Sequence, residues 1–174
     1  LPEAISTYQK AIQLHPDSGY AGVLHSNLAL ALAAAGRTRE AIEAGKKAVE
    51  IAPEESGAWI QYHFVLLQAN DIVGAVAAAK GAIEAEPERA GVHDLLGVQY
   101  ANSGQAAKAE AELRREIELY PLHSASPYIN LATLLIRKDP TSKDAEALFD
   151  KAMEIGMKSA AALRRYGRLK QELG

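Results

Sequence analysis

Residues 54–87, EESGAWIQYHFVLLQANDIVGAVAAAKGAIEAEP, and residues 88–121, ERAGVHDLLGVQYANSGQAAKAEAELRREIELYP, are two passes through one design 34 residues long. Each opens with a helical pattern centred on large apolar residues, breaks at a turn signal (Asn70-Asp71, then Ser103-Gly104), resumes as a helix rich in small residues, and closes on proline. Pro53, Pro87 and Pro121 mark that period. The residue before a proline is pushed out of helical geometry, so each proline fixes the end of a second helix. Self-similarity at this period predicts a stack of helical hairpins, an all-α solenoid in which each unit buries its apolar face against its neighbours.

The pattern extends in both directions. Residues 1–17 contain only a second helix, with Ile5, Tyr8 and Ile12 as an apolar stripe ahead of Pro16. Residues 18–55 supply a helix from about Tyr20 to Ala35, a turn at Gly36-Arg37-Thr38 and a helix from Arg39 to Ile51. Residues 56–89 and 90–123, offset by two from the quoted stretches, are the third and fourth segments, with helices near Ser56–Ala69, Ile72–Ala85, Ala90–Asn102 and Gln105–Leu119. Residues 124–157 make a longer fifth segment, with Arg137-Lys138-Asp139-Pro140-Thr141-Ser142 as a stretched turn before Lys143–Ile155. Residues 158–174 read as a closing helix, apolar along Leu163, Tyr166, Leu169 and Leu173 and charged opposite, which would cap the array. The stripe on the first helix has no preceding partner in this reading, so the expectation is either that the native protein continues upstream or that another molecule covers this face, with self-association as one form of the second.

Composition removes several classes of function. With 19 basic and 22 acidic residues the net charge is −3, which gives no long-range pull on nucleic acid or anionic lipid. No apolar run approaches the roughly 20 residues that span a bilayer. Without cysteine there is neither a disulfide framework nor a thiolate metal site, and the compartment stays open, with the cytoplasm favoured. The histidines His15, His25, His63, His93 and His123 are scattered, and none has the spacing of a ligand set. Gly45-Lys46-Lys47 imitates the end of a phosphate-binding loop, but Glu40 stands where that loop needs glycine and the segment lies inside a helix. No nucleophile motif is present, and no metal, cofactor or catalytic residue is expected. Glu40, Glu43, Lys46, Lys47 and Glu50 read as a solvated face with pairs at helical spacing.

The residues carrying the period resemble the tetratricopeptide repeat family. The bulky, large-small, apolar series appears as Trp59, Tyr62-His63, Leu66, then His93, Leu96-Gly97, Tyr100, then Leu131-Ala132, Leu135. The small, large, small, proline series of the second helices reads Ala4, Tyr8, Ala11, Pro16, then Ala41, Gly45, Ala48, Pro53, then Ala75, Ala79, Ala82, Pro87, then Ala109, Leu113, Glu116, Pro121. The fifth segment gives Ala145, Phe149 and Ala152 but Gly156-Met157 in place of the proline. Small residues at Ala29, Gly97 and Ala132 let paired helices approach closely. Gly45 stands where bulk is usual, and a neighbour such as Trp59 is expected to fill the space. Glu116 stands where a small residue is usual, so it is expected to reach outward or to pair with an arginine.

That resemblance implies a right-handed superhelix of tetratricopeptide hairpins whose first helices line a concave face. The implied partner-binding residues are Asn27 and Leu30, then Gln61, Phe64, Leu67 and Gln68, then Asp94, Val98 and Asn102, then Asn130, Thr133 and Arg137, with Val23, Ile60, Ala101 and Ile129 on the same stripe. The family's carboxylate clamp is absent, since its positions carry Ser26, Leu30, Ile60, Phe64, Asp94 and Val98. Asn27, Gln61 and Asn130 occupy equivalent places, similar to the asparagine ladder of some glycosyltransferase arrays; such amides suit a peptide backbone and equally cap or bridge locally. The expected function is a non-catalytic interaction scaffold holding a protein or peptide, with no nucleic acid or membrane partner. A substrate-recruiting region of a larger enzyme and a self-association module are the alternatives.

Overall fold

The computed structural model describes residues 1–16 and 18–156, together with 167 and 171. Among these the chain forms nine helices and no strand: α1 (Pro2–Leu14), α2 (Ala21–Ala34), α3 (Thr38–Ile51), α4 (Ser56–Gln68), α5 (Ile72–Ala85), α6 (Val92–Asn102), α7 (Ala106–Leu119), α8 (Ser126–Lys138) and α9 (Lys143–Glu154). The expected closing helix and its capping role lie outside the described residues. The chain divides into two compact units, residues 1–92 and 93–174. In the first, α2 pairs with α3 and α4 with α5, while α1 packs on α2 and α3 on α4; in the second, α8 pairs with α9 and α7 packs on α8.

Two kinds of turn repeat through the chain, each with its own cause. Inside a hairpin the first helix ends on a left-handed residue, Gly36 at φ 76°, Asn70 at φ 60° and Gly104 at φ 73°. The next amide then folds back to a carbonyl inside the helix: Arg37 to Leu32, Asp71 to Leu66 and Gln105 to Tyr100, at 2.9, 2.9 and 2.8 Å. These bonds satisfy carbonyls that the helix end leaves free. Between hairpins the second helix stops one residue before proline. His15, Ala52, Glu86 and Tyr120 share φ near −135° and positive ψ, and each still donates its amide to the carbonyl four residues back. Two proline carbonyls are then taken by aromatic donors, Pro53 by Trp59 Nε1 and Pro121 by the Tyr128 hydroxyl, both at 2.8 Å. The fifth second helix lacks the proline and ends instead at Gly156, φ 96°.

Arg137 and Lys138 form the last turn of α8 rather than a loop, a correction to the stretched turn expected there. Basic side chains are favoured at that end of a helix by its dipole. The turn proper is short, and Asp139 holds it by accepting from the Thr141 amide and hydroxyl at 2.9 and 2.8 Å.

The hairpin seam is built on residues without bulk. Ala29, Ala41, Ala48, Ala75, Ala79, Ala82, Ala109, Ala132, Ala145 and Ala152 are all fully buried. Over Gly45 the filling side chain is Tyr62, with ring carbon Cδ2 only 2.5 Å from where a Cβ would stand, whereas Trp59 lies over Gly81 at 2.5–2.8 Å. The expectation that Trp59 fills the Gly45 space is thus corrected: one turn along α4 separates the two rings, and Trp59 is held toward Pro53. Leu113 fills the corresponding place over Gly97.

Glu116 is buried at 2% exposure instead of reaching outward, and its carboxylate accepts from the Asp94 amide in the first turn of α6 at 3.4 Å. Glu86 does the same for α4, accepting from the Ser56 amide at 3.1 Å; the Ser56 side chain and that bond hold its carboxyl below the usual range. The apolar stripe on α1 is not bare. Ile5 is 4% exposed and packs with Leu28, Ala29 and Leu32, with Tyr8 and Ile12 half-buried beside it, because a second helix also packs against the next hairpin's first helix. What stands open on α1 is Ala4, whose counterparts in the four hairpins are fully buried.

His63 is fully buried, and its Nδ1 lies 2.9 Å from the Ala75 carbonyl. A carbonyl only accepts, so Nδ1 carries the proton and Nε2, buried without a partner, does not. Burial pushes the imidazole pKa below its ordinary 6.5, partly opposed by the Ala75 bond.

Three stability measurements follow from this packing. Gly81→Ala gains about 1 kcal/mol of helix propensity but drives a Cβ into the tethered Trp59 ring, an overpacking that costs about 1–3 kcal/mol, so the urea midpoint should fall. A raised midpoint would show that the indole swings aside freely. Asn70→Gly removes the side chain from a left-handed position and should stabilise by about 0.5–1 kcal/mol, while Gly36→Ala should do the reverse.

The third concerns pH. An unfolded His63 takes a proton near pH 6.5 and the folded one resists, so its contribution is complete above that pH and is lost as pH falls below it. His25, lowered by burial and then by Lys47, adds in the same direction. Urea titrations of His63→Leu at about pH 7.5 and about pH 5.5 should show a smaller difference than wild type, and an unchanged difference would remove His63 as its source.

Candidate functional site

On the first unit, α2 and α4 each carry a stripe at helical spacing that the hairpin seams do not consume. Val23 and Leu30 of α2 and Phe64 of α4 are exposed, Phe64 to 50%, with Asn27, Ile60 and Gln61 half-buried between them. The Phe64 ring stands edge-on to His63, centroids 5.3 Å apart. Leu67 turns into the seam, where it packs near Leu66, Ala75 and Ala78. Gln68 is exposed, and its Nε2 donates to the Ala33 carbonyl at 2.8 Å, which ties the end of α4 to the last turn of α2. The Gln61 Oε1 is buried without a hydrogen-bond partner. This unit offers an apolar face edged by amides.

On the second unit the corresponding stripe is hollow. Val98, Ala101, Asn102, Asn130, Thr133, Leu134 and Arg137 enclose a cavity of about 100 Å³, room for about three waters or a small side chain. Five of the residues expected to bind a partner therefore come together there: Val98, Asn102, Asn130, Thr133 and Arg137. Asp94 stands behind them. Its Oδ1 accepts from Asn130 Nδ2 at 2.8 Å, and the same nitrogen donates to Ser126 Oγ at 3.2 Å. Both amide protons of Asn130 are thus engaged, leaving only its carbonyl for a ligand; the Thr133 hydroxyl likewise bonds the Ile129 carbonyl at 2.7 Å.

A second cavity, about 440 Å³, adjoins the first and shares Ala101, Leu134 and Arg137 with it. Its other lining residues are Gly104, Ala106, Ala107, Glu110, Leu135 and Lys138. That volume is in the range of ligand pockets. Sequence reading did not single it out, because its lining comes from α6, α7 and α8 together, a juxtaposition that no local signal reveals.

Charge is distributed unevenly. The second helices neutralise themselves locally: Arg37 with Glu40, Lys46 and Lys47 with Glu50, Arg114 with Glu110, Arg115 with Glu118 and Lys151 with Glu154. Exposed pairs of this kind add little stability and leave a solvated surface. His93 and Glu112 form a part-buried pair at 2.7 Å. No cluster among the described residues could hold a metal ion, and no helix there is long and apolar enough to cross a membrane.

Two family models described as "Tetratricopeptide repeat" match residues 1–54 and 32–98. No curated protein sequence matches the chain. Among solved structures, the chain is similar to MamA at 22% identity and a TM-score of 0.74, covering 90% of this chain and 89% of that one. It is similar to TTC0263, a thermophilic tetratricopeptide protein of Thermus thermophilus, at 22% identity and TM-score 0.73, covering 96% and 89%. YrrB, described as a tetratricopeptide protein with an unusual peptide-binding site, aligns at 20% identity and TM-score 0.72 over 95% and 83%. Proteins of this solenoid fold are generally non-catalytic scaffolds for protein–protein interaction. With proline-closed hairpins, alanine-lined seams and these likenesses together, the chain belongs to the tetratricopeptide repeat family.

Proposed function

We propose that the chain is a non-catalytic interaction module that holds an extended segment of a partner protein against its first helices. The observation that carries this reading is the cavity on α6 and α8, where Val98, Asn102, Asn130, Thr133 and Arg137 converge although they come from helices 36 residues apart at Asp94 and Asn130. A shallow, polar-edged hollow beside apolar side chains suits a peptide: amide and carbonyl groups satisfy its backbone while small pockets take alternate side chains. On the first unit, taken by itself, the exposed Val23, Leu30 and Phe64 offer apolar contact, with Asn27 and Gln61 as amide contacts and Gln68 at the edge. Leu67 supports this surface from the seam. Asp94 acts by orienting Asn130. YrrB, which shares the fold, is described as having a peptide-binding site, and this supports the same class of partner here.

A random dodecapeptide display library panned against the immobilised chain supplies probes for this reading. Selected peptides, resynthesised with a fluorophore and titrated by anisotropy, should bind Asn102→Ala/Thr133→Ala about tenfold more weakly than wild type, as expected for two hydrogen bonds of about 0.5–1.5 kcal/mol each. The second-helix control Glu43→Ala/Lys47→Ala should bind as wild type. Loss in the control with retention in the first-helix variant would move the site to the outer face and end this proposal.

A further inference from the structure

The 440 Å³ cavity is lined in part by the two alanines that begin α7. One period earlier α5 begins Ile72-Val73, so side chains this small at the start of a second helix are a feature of this hairpin and not of the one before it. Leu134 and Leu135 give the cavity an aliphatic surface, and Arg137 and Lys138 stand at its rim as the last residues of α8. The other first helices end without charge, at Ala34-Ala35, Gln68-Ala69 and Asn102-Ser103, so this pair of cations is peculiar to α8.

Neither cation forms an ion pair among the described residues. The nearby acids in the chain direct their oxygens elsewhere. Glu110, across the cavity, accepts from Arg114 Nε and Nη2 at 2.9 and 2.8 Å, and Asp139 accepts from Thr141. Among the described residues the rim therefore carries two cations without an ion-pair partner, beside a surface that favours aliphatic contact.

We propose that this cavity takes an aliphatic side chain of the bound segment, Leu, Ile or Met, while an acidic residue next to it pairs with Arg137 and Lys138. The occupant is thus an acidic peptide with an aliphatic anchor. The inference rests on the peptide-binding reading above and narrows it. Arginine offers a carboxylate two parallel donors, which fixes orientation as well as charge, and the aliphatic anchor sets register. Phosphate would satisfy the same cations, but an alanine and leucine lining gives a nucleobase no aromatic face to stack on.

The same display library decides the matter. Peptides selected by the wild-type chain should share an aliphatic residue adjacent to Asp or Glu. Arg137→Glu/Lys138→Glu should weaken the selected peptides at least tenfold, and repanning that variant should enrich Lys or Arg at the acidic place. Ala106→Leu, or Ala107→Leu as a second filling variant, should weaken binding similarly with helicity unchanged by circular dichroism. Peptides without the aliphatic–acidic pair overturn this inference. So do peptides untouched by the rim and filling variants yet weakened by Asn102→Ala/Thr133→Ala, a result that leaves the concave reading intact. A library that yields no binder, or binders indifferent to every variant, counts against both.

Discussion

The closest approach of two helices in a hairpin is set by the side chains at Ala41, Ala75, Ala109 and Ala145, all without solvent exposure. Helix axes pack at about 8–10 Å according to what lies between them, and alanine allows the short end of that range. Methyl groups lose no rotamer freedom on burial, so the seam gains dispersion and hydrophobic contact at little entropic cost. A larger residue at any of these places would separate the two helices and, with them, every filling side chain nearby. The prolines after α1, α3, α5 and α7 matter because each stops its helix at one defined place, with the residue before it at φ near −135° and positive ψ.

The helix that supplies large side chains against the glycines of the seam differs between the two units. In the first unit they come from α4, which sends Tyr62 against Gly45 of α3 and Trp59 against Gly81 of α5. In the second they come from the second helices, with Leu113 over Gly97 and Phe149 fully buried beside Ala132. Total volume and patterning are what a core requires, so both solutions pack. They leave different surfaces. Where a first helix supplies the large rings it also presents Phe64 outward; where it supplies Gly97 and Ala101, hollows remain.

The sequence showed the fold because its signals are local and repeated. Proline at one period, turn residues between helices and small residues at seam spacing each act through the backbone within a few residues, so α5 is found with the ends read for it and α7 within one residue. Readings that depended on which neighbour meets a side chain were less secure. Trp59 and Tyr62 lie one turn apart on α4, and helical spacing alone does not say that Tyr62 covers Gly45 while Trp59, bonded to the Pro53 carbonyl, covers Gly81. The α1 stripe reads as uncovered from sequence because a second helix's hairpin partner is the expected cover, whereas Leu28, Ala29 and Leu32 of α2 cover it. Asn130 was legible as a site residue, but its amide protons are spent on Asp94 and Ser126, which no spacing rule reveals.

Placement of charge completes the difference between faces. On the second helices each paired cation has its acid three or four residues away, a pairing that sequence alone can set because one helix supplies both partners. Arg137 and Lys138 lack that arrangement: the residues three and four before them are Leu134 and Thr133, then Leu135 and Leu134. Their nearest chain neighbour of opposite sign, Asp139, is folded onto Thr141 by its own turn. A cation left unneutralised by its helix is stabilised there by the helix dipole, and that stabilisation leaves its hydrogen-bonding capacity intact. The structural role of α8's end is therefore compatible with a second role toward a carboxylate from outside, and the two need not compete for the same bonds.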